Sequence, residues 1–242
     1  MKPKNIFAFF FILMLLMQIQ SCNKVQYHIF QSYINTYMEH KDIGVYVTDS
    51  GNIQLRGEMR EKLYSWRSTG YDKEVFDSLC NANNDISYNK KRDFIAAPEW
   101  GLASTLCING IDIISNTDFD QNHLAGASLN DIVMFISVSP KRYIDSGYID
   151  THNWETAFPN SFEKEQRLYR FKNYPDRSYY LPIEKLLSEM HQDEIKMTIP
   201  EYSLGYLIFQ VEPTGAKEHE LTITISLCDG SNIEKTLVKV FD

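Results

Sequence analysis

The 242 residues carry a formal net charge of −8, with 43% hydrophobic and 13% aromatic side chains and four cysteines. An acidic balance disfavours nucleic acid and anionic headgroups as partners, and the length suits one large domain or one domain with an appendage. The cysteines show no C-x-x-C and no Cys/His metal spacing, which argues against a redox or zinc role.

Lys2 and Lys4 precede an unbroken run of twelve apolar residues, Ile6 to Met17, and Gln18 to Ser21 then lead to Cys22. This is the layout of a secretory signal peptide, too short to span a bilayer as a stable anchor. A peptidase cutting before a cysteine needs a small residue at the preceding position, and Ser21 is one. The stretch I-Q-S-C (19–22) resembles the lipobox of bacterial lipoproteins. Gln20 departs from the small residue most such boxes carry, although Bacteroidetes lipoproteins commonly keep only an apolar residue, a spacer, Ser and Cys. The resemblance implies a signal peptide over 1–21 and a diacylglyceryl thioether plus an N-acyl chain on Cys22, enough to hold the mature chain on a membrane. Asn23 after the cysteine, with no acidic run, favours by the same resemblance an outer-membrane lipid anchor, with the periplasmic side preferred over the cell surface. Once Cys22 is lipidated, Cys80, Cys107 and Cys228 remain, and in an oxidising compartment at most one pair of them closes.

Farther along, IGVYVTDSGNIQL (43–55) predicts two short strands around a Ser-Gly-Asn turn. Two short helices are expected next, with Met59, Leu63 and Trp66 on one stripe, Val75, Phe76, Leu79 and Cys80 on the second, and Asp72 as an N-cap. The polar stretch NANNDISYNKKRD (81–93) reads as a linker. It divides the mature chain into a lipidated N-terminus and helical segment over 22–92 and a sandwich domain over 93–242. LASTLCINGIDIIS (102–115) and DIVMFISV (131–138) place apolar residues on both faces, as in strands covered on both sides. Two helices are expected to interrupt the strands. One opens at Asn160 with Glu163 three residues on. The other has Pro182 in its first turn and Ile183, Leu186, Leu187 and Met190 on one face. In LTITISL (221–227) apolar and hydroxyl residues alternate, the half-buried strand pattern, and Asp229-Gly230 turns the chain into NIEKTLVKVF. The expected architecture is mainly β: a Greek-key or Ig-like β-sandwich decorated by short helices, with a small helical N-terminal segment packed on it.

The order of INGIDIISNTDFDQNHLAGASLNDIVMFIS (108–137), IKMTIP (195–200), LGYLIFQV (204–211) and LTITISLCDG (221–230) is similar to that of a family of small Bacteroidetes cell-envelope lipoproteins known as a domain of unknown function. The shared layout is a strand, a D-F-D loop with A-G-x-S-L-N-D, and a terminal hairpin closing on D-G, over about half of the mature chain. The resemblance implies a β-rich envelope protein and supplies no catalytic residues.

Three motifs invite a chemical reading. Asp118, Asp120 and Asn122 have the spacing that opens a calcium loop, but His123 stands where the sharp turn needs Gly and Leu129 where a bidentate Glu closes the shell. A solvated strand connection is the expectation, with no metal and no cofactor. Ser87 and Lys90, Ser128 and Asn130, and Lys235 and Thr236 follow the order of the serine β-lactamase motifs, yet Ser87 lies in a polar stretch and Leu237 replaces the required glycine. GASLN (126–130) misses the nucleophile elbow because Asn130 replaces its second glycine. The six histidines form no H-E-x-x-H and are expected on surfaces and loops.

Residues 143–180 hold ten aromatics in 38 positions. Tyr148, Trp154, Tyr169 and Tyr174 are the candidates for a glycan or peptide platform, with Asp150, Glu155, Asp176 or Arg177 beside them to hold hydroxyls. The competing use, which the area of aromatic rings favours, is to cover a sheet. The expectation for function is therefore a membrane-anchored envelope protein with a non-enzymatic structural or binding role and no nucleic acid partner. The alternatives are glycan or peptide capture for nutrition, or a hydrolase. A serine with a histidine partner, or two facing carboxylates in a deep pocket, would favour the hydrolase.

Overall fold

A computed structural model describes residues 27–93, 101–151, 181–198 and 204–242. Its elements in chain order are β1 (Tyr27–Phe30), β2 (Thr36–Val47), β3 (Ile53–Ser65), α1 (Tyr71–Ala82), β4 (Lys90–Asp93), β5 (Leu102–Ser104), β6 (Ile108–Ser115), β7 (Val133–Ser139) and α2 (Lys141–Asp145). β8 (Leu181–Leu186), a 3-10 turn (Leu187–Glu189), α3 (Gln192–Ile195), β9 (Gly205–Phe209), β10 (Glu218–Leu227) and β11 (Asn232–Val240) follow. The fold is mainly β with a few short helices.

A six-stranded sheet of order β5-β2-β3-β9-β7-β8 faces a three-stranded sheet of order β11-β10-β6, and β1 pairs with β4 in a separate ribbon. Side chains on neighbouring positions of a strand leave opposite faces, and β7 shows both uses. Val133 and Phe135 point into the sandwich with Ile43, Leu55, Leu207, Ile113 and Ile223. Ile136 and Val138 point the other way, to a second core with Tyr37, Tyr206, Phe76 and Tyr143. The six-stranded sheet is thus covered on both sides, which is why β7 reads as a near-continuous apolar run. In β10 the expected alternation holds: Leu221, Ile223 and Ile225 are fully buried and Thr222, Thr224 and Ser226 half-buried. Gly205 lets β9 pass tightly against β7, because a Cβ there would meet the Phe135 ring and the Ile136 carbonyl.

A disulfide joins Cys107, just before β6, to Cys228, just after β10, and Cys80 is left free and buried. Asp42 of β2 and Lys235 of β11 form an ion pair at 2.6 Å between the two sheets.

Four local expectations are corrected. The stretch carrying Leu63 is not helical: β3 continues to Ser65 as the antiparallel partner of β2. Asp72 lies inside α1, whose N-cap is Gly70, and pairs with Lys62 instead. Pro182 opens no helix, since residues 181–186 pair with β7 as β8, an edge strand, where a proline costs no ladder bond to a second neighbour. The stretch 81–93 is also structured: it supplies the end of α1, the buried Asp85 and Tyr88, and β4. The helix expected at Asn160 lies outside the described residues.

Candidate functional site

β1 and α1 both stand on the side of the six-stranded sheet away from the sandwich, with a cleft of about 740 Å³ between them. One wall is the continuous run His28, Ile29, Phe30, Gln31 and Ser32. The opposite wall is one face of α1, because Lys73, Phe76, Asp77, Cys80 and Asn81 recur at helical intervals. Trp66, Asp85 and Ile86 complete the lining. The indole of Trp66 is stacked by His28 at 4.4 Å between ring centroids and met edge-on by Phe30 at 4.9 Å. The Arg67 guanidinium lies 4.9 Å from the same ring. Lys73 and Asp77 pair along the helix face.

Two titratable groups of the lining are buried, Asp85 and Cys80. Asp85 is fully buried; it accepts the backbone N–H groups of Tyr33 at 2.7 Å and Ile34 at 2.8 Å, and the phenol of Tyr148 at 2.9 Å. Burial pushes its carboxyl up to about 6 against the pull of those three donors. Burial, helped by the Asp85 charge, pushes the Cys80 thiol up to about 12, and its hydrogen-bond partners are the hydroxyls of Ser32 and Tyr37. A nucleophilic cysteine needs its thiolate near neutral pH, so Cys80 is a packing residue here and Asp85 a connector of three chain segments.

Two histidine clusters lie elsewhere. His123 sits between two carboxylates, with Nδ1 2.9 Å from Asp120 and Nε2 2.9 Å from Asp131. Burial opposes its charge, but the hydrogen bonds to Asp120 and Asp131 prevail and raise it. Asp120 also accepts the N–H groups of Asn122 and His123, and Asp118 accepts that of Ala125, so the D-F-D loop spends its acidic side chains on its own backbone. The Asp120-x-x-His123 spacing was visible in sequence; Asp131, eight residues on, was not linked to it. Among the described residues, no three His, Cys, Asp or Glu side chains gather as a metal site.

The second cluster is a serine–histidine pair. His219 Nε2 donates to the Ala216 carbonyl at 2.9 Å, leaving Nδ1 to accept from Ser115 at 2.7 Å and Thr117 at 3.0 Å. His219 is fully buried and Ser115 2% exposed, with Phe119 and Phe241 against the imidazole. Among the described residues no carboxylate hydrogen-bonds the ring and neither residue lines the cleft, whereas acyl transfer requires an orienting third member and access.

Of the candidate platform residues, Tyr148 is half-buried at φ +64°, edge-on to Tyr88 and Tyr143. Trp154, Tyr169 and Tyr174 lie outside the described residues, as does Cys22. The β-lactamase-like residues are engaged apart from one another: Ser128 donates to Asp112 at 2.7 Å, Asn130 holds the backbone of β6, and Lys235 pairs with Asp42. Sequence reasoning missed the β1–α1 cleft because its two walls, β1 and α1, are brought together across the β2–β3 hairpin. The chain matches no family model, no curated protein and no solved structure.

Proposed function

We propose that this chain is a lipid-anchored envelope protein that binds its ligand without transforming it, and that the β1–α1 cleft is the binding site. The cleft carries the reading. It has the volume of a small-ligand or peptide site, it brings aromatic, amide and paired ionic side chains together, and its only thiol and its buried carboxyl are committed to hydrogen bonds within the protein.

The leader ending at Ser21-Cys22 supports export and lipidation, and the Cys107–Cys228 disulfide suits an oxidising compartment. Asn23 after the cysteine supports an outer-membrane anchor, and the lack of an acidic run beside it supports the periplasmic side over the cell surface. Only five residues lie between Cys22 and His28, so a lipid on Cys22 keeps the cleft within roughly 20 Å of the bilayer surface. Glycans and peptides both suit the lining.

Two measurements test the proposal. Mass analysis of the mature N-terminus is expected to find a lipidated Cys22, and Cys22→Ala is expected to leave the membrane fraction. A thermal-shift screen against envelope oligosaccharides and peptides is expected to find a stabilising ligand whose effect disappears in Asn81→Trp, a variant that fills the cleft. An unmodified Cys22, or stabilisation unchanged by Asn81→Trp, overturns the corresponding half.

A further inference from the structure

We infer that the β1–α1 cleft takes an extended peptide, which adds to β1 as a third strand; the inference rests on the binding role proposed above. Its basis is the identity of the wall. A cleft lying over one face of a strand is lined by alternate residues, because neighbouring side chains point in opposite directions. Here His28, Ile29 and Phe30 of β1 line it consecutively, and Gln31 and Ser32 continue the wall beyond the end of the strand. The cleft therefore runs along the edge of β1, where backbone N–H and C=O groups are presented.

Among the described residues no strand pairs along that edge. Among them β1 pairs with β4 alone, through the register from Tyr27↔Asp93 to Phe30↔Lys90, and neither Lys90 nor Lys91 of β4 lines the cleft. An edge strand beside a helix face is the arrangement that captures extended peptides, the backbone giving affinity and the helix side giving side-chain selectivity. At ~3.3 Å per residue, the stretch from His28 to Phe30 accommodates about three residues of added strand.

The helix wall sets the preference. Phe76 and Cys80 form a buried apolar base, while Asp77 and Asn81 stand exposed above them. Ile29, at 60% exposure, and Ile86, at 51%, add apolar surface. A peptide with one apolar side chain facing α1 and a polar neighbour for Asn81 and the Lys73–Asp77 pair matches this lining. The short tether from Cys22 limits such segments to those presented close to the membrane, which points to an extended segment of another membrane-attached protein.

The test uses the full chain in detergent against an array of random seven-residue peptides and an array of oligosaccharides. The expected result is capture of a peptide subset. N-methylation of alternate peptide amides is expected to weaken those binders about tenfold per groove-facing amide, and amide exchange within Tyr27–Gln31 is expected to slow on binding. Asn81→Trp, with its melting temperature unchanged, is expected to abolish capture. Peptides that bind without sensitivity to N-methylation, or without protecting β1, overturn strand addition. Oligosaccharide binding blocked by Asn81→Trp overturns the peptide inference and leaves the cleft as a binding site. Binding of neither class overturns both.

Discussion

Tyr148 donates its phenol to the fully buried carboxylate of Asp85 at 2.9 Å across 63 residues of chain. Through Asp85 it is coupled to the start of β2, because the same carboxylate holds the N–H groups of Tyr33 and Ile34. Asp85→Ala strands two buried donors and is expected to cost about 3 kcal/mol or more. Tyr148→Phe removes one partner and leaves the backbone bonds in place, so about 1 kcal/mol is expected. Urea denaturation of the two variants checks the order; equal costs would show that Tyr148, not the backbone, dominates the site.

Asp85 also gives stability a pH dependence of known sign. Its folded value of about 6 stands above the unfolded value of about 3.9. Between these values the folded chain holds a proton that the unfolded chain lacks. The contribution is therefore present below about pH 4, is lost as pH rises through about 6, and amounts to about 3 kcal/mol in all. The denaturation midpoint of Asp85→Asn, followed from pH 4 to 7, is expected to show a shallower decline than that of the native chain. Parallel slopes would assign the dependence to other groups.

His123 should titrate above the free imidazole value of about 6.5, since burial is outweighed by its hydrogen bonds to Asp120 and Asp131. A raised folded value means that its contribution is present below about 6.5 and lost as pH rises through the folded value. Asp131 is 61% exposed at its side chain, so Asp131→Asn removes one partner without opening the core. An NMR titration of the imidazole is expected to move to lower pH in that variant, and an unmoved midpoint would exclude Asp131 as a source of the shift.

The cysteines separate cleanly in reactivity. The bond from Cys107 to Cys228 spans 121 residues, and on loop-entropy grounds its removal costs about 3–5 kcal/mol. Cys80 is 4% exposed with its thiol pushed up to about 12. Iodoacetamide followed by peptide mapping is expected to leave Cys80 unmodified in the native chain and to label it fully in denaturant. Rapid native labelling would show that the cleft floor opens.

Legibility in the sequence followed how local the cause was. β10 was readable because Leu221, Ile223 and Ile225 alternate with hydroxyl residues on a half-covered strand, and β7 because a strand covered on both faces is apolar throughout. Leu63 fits a helical stripe with Trp66, yet pairing with Met38 of β2 decides its backbone from across a hairpin. Ile183 and Leu186 fit one equally well, and pairing with β7, more than 40 residues away, overrides it. Asp85 hid in an asparagine-rich stretch because the donors that hold it lie 51 and 52 residues earlier. The cleft was invisible for the same reason, its walls being a short strand and a helix separated by the β2–β3 hairpin.

Ser115 is the residue on which a hydrolase reading can be tested most directly. It lies 2.7 Å from His219, the distance of a working nucleophile and base, but the imidazole is turned so that its other nitrogen meets a backbone carbonyl and both residues are sealed beneath Phe119 and Phe241. A fluorophosphonate probe, which reacts only where a serine is activated and reachable, is expected to leave Ser115 unlabelled in the folded chain. Ser115→Ala is expected to cost about 1–2 kcal/mol of stability, because it strips the buried Nδ1 of its shortest partner while Thr117 remains. Labelling at Ser115 that is lost in His219→Gln would restore the enzyme.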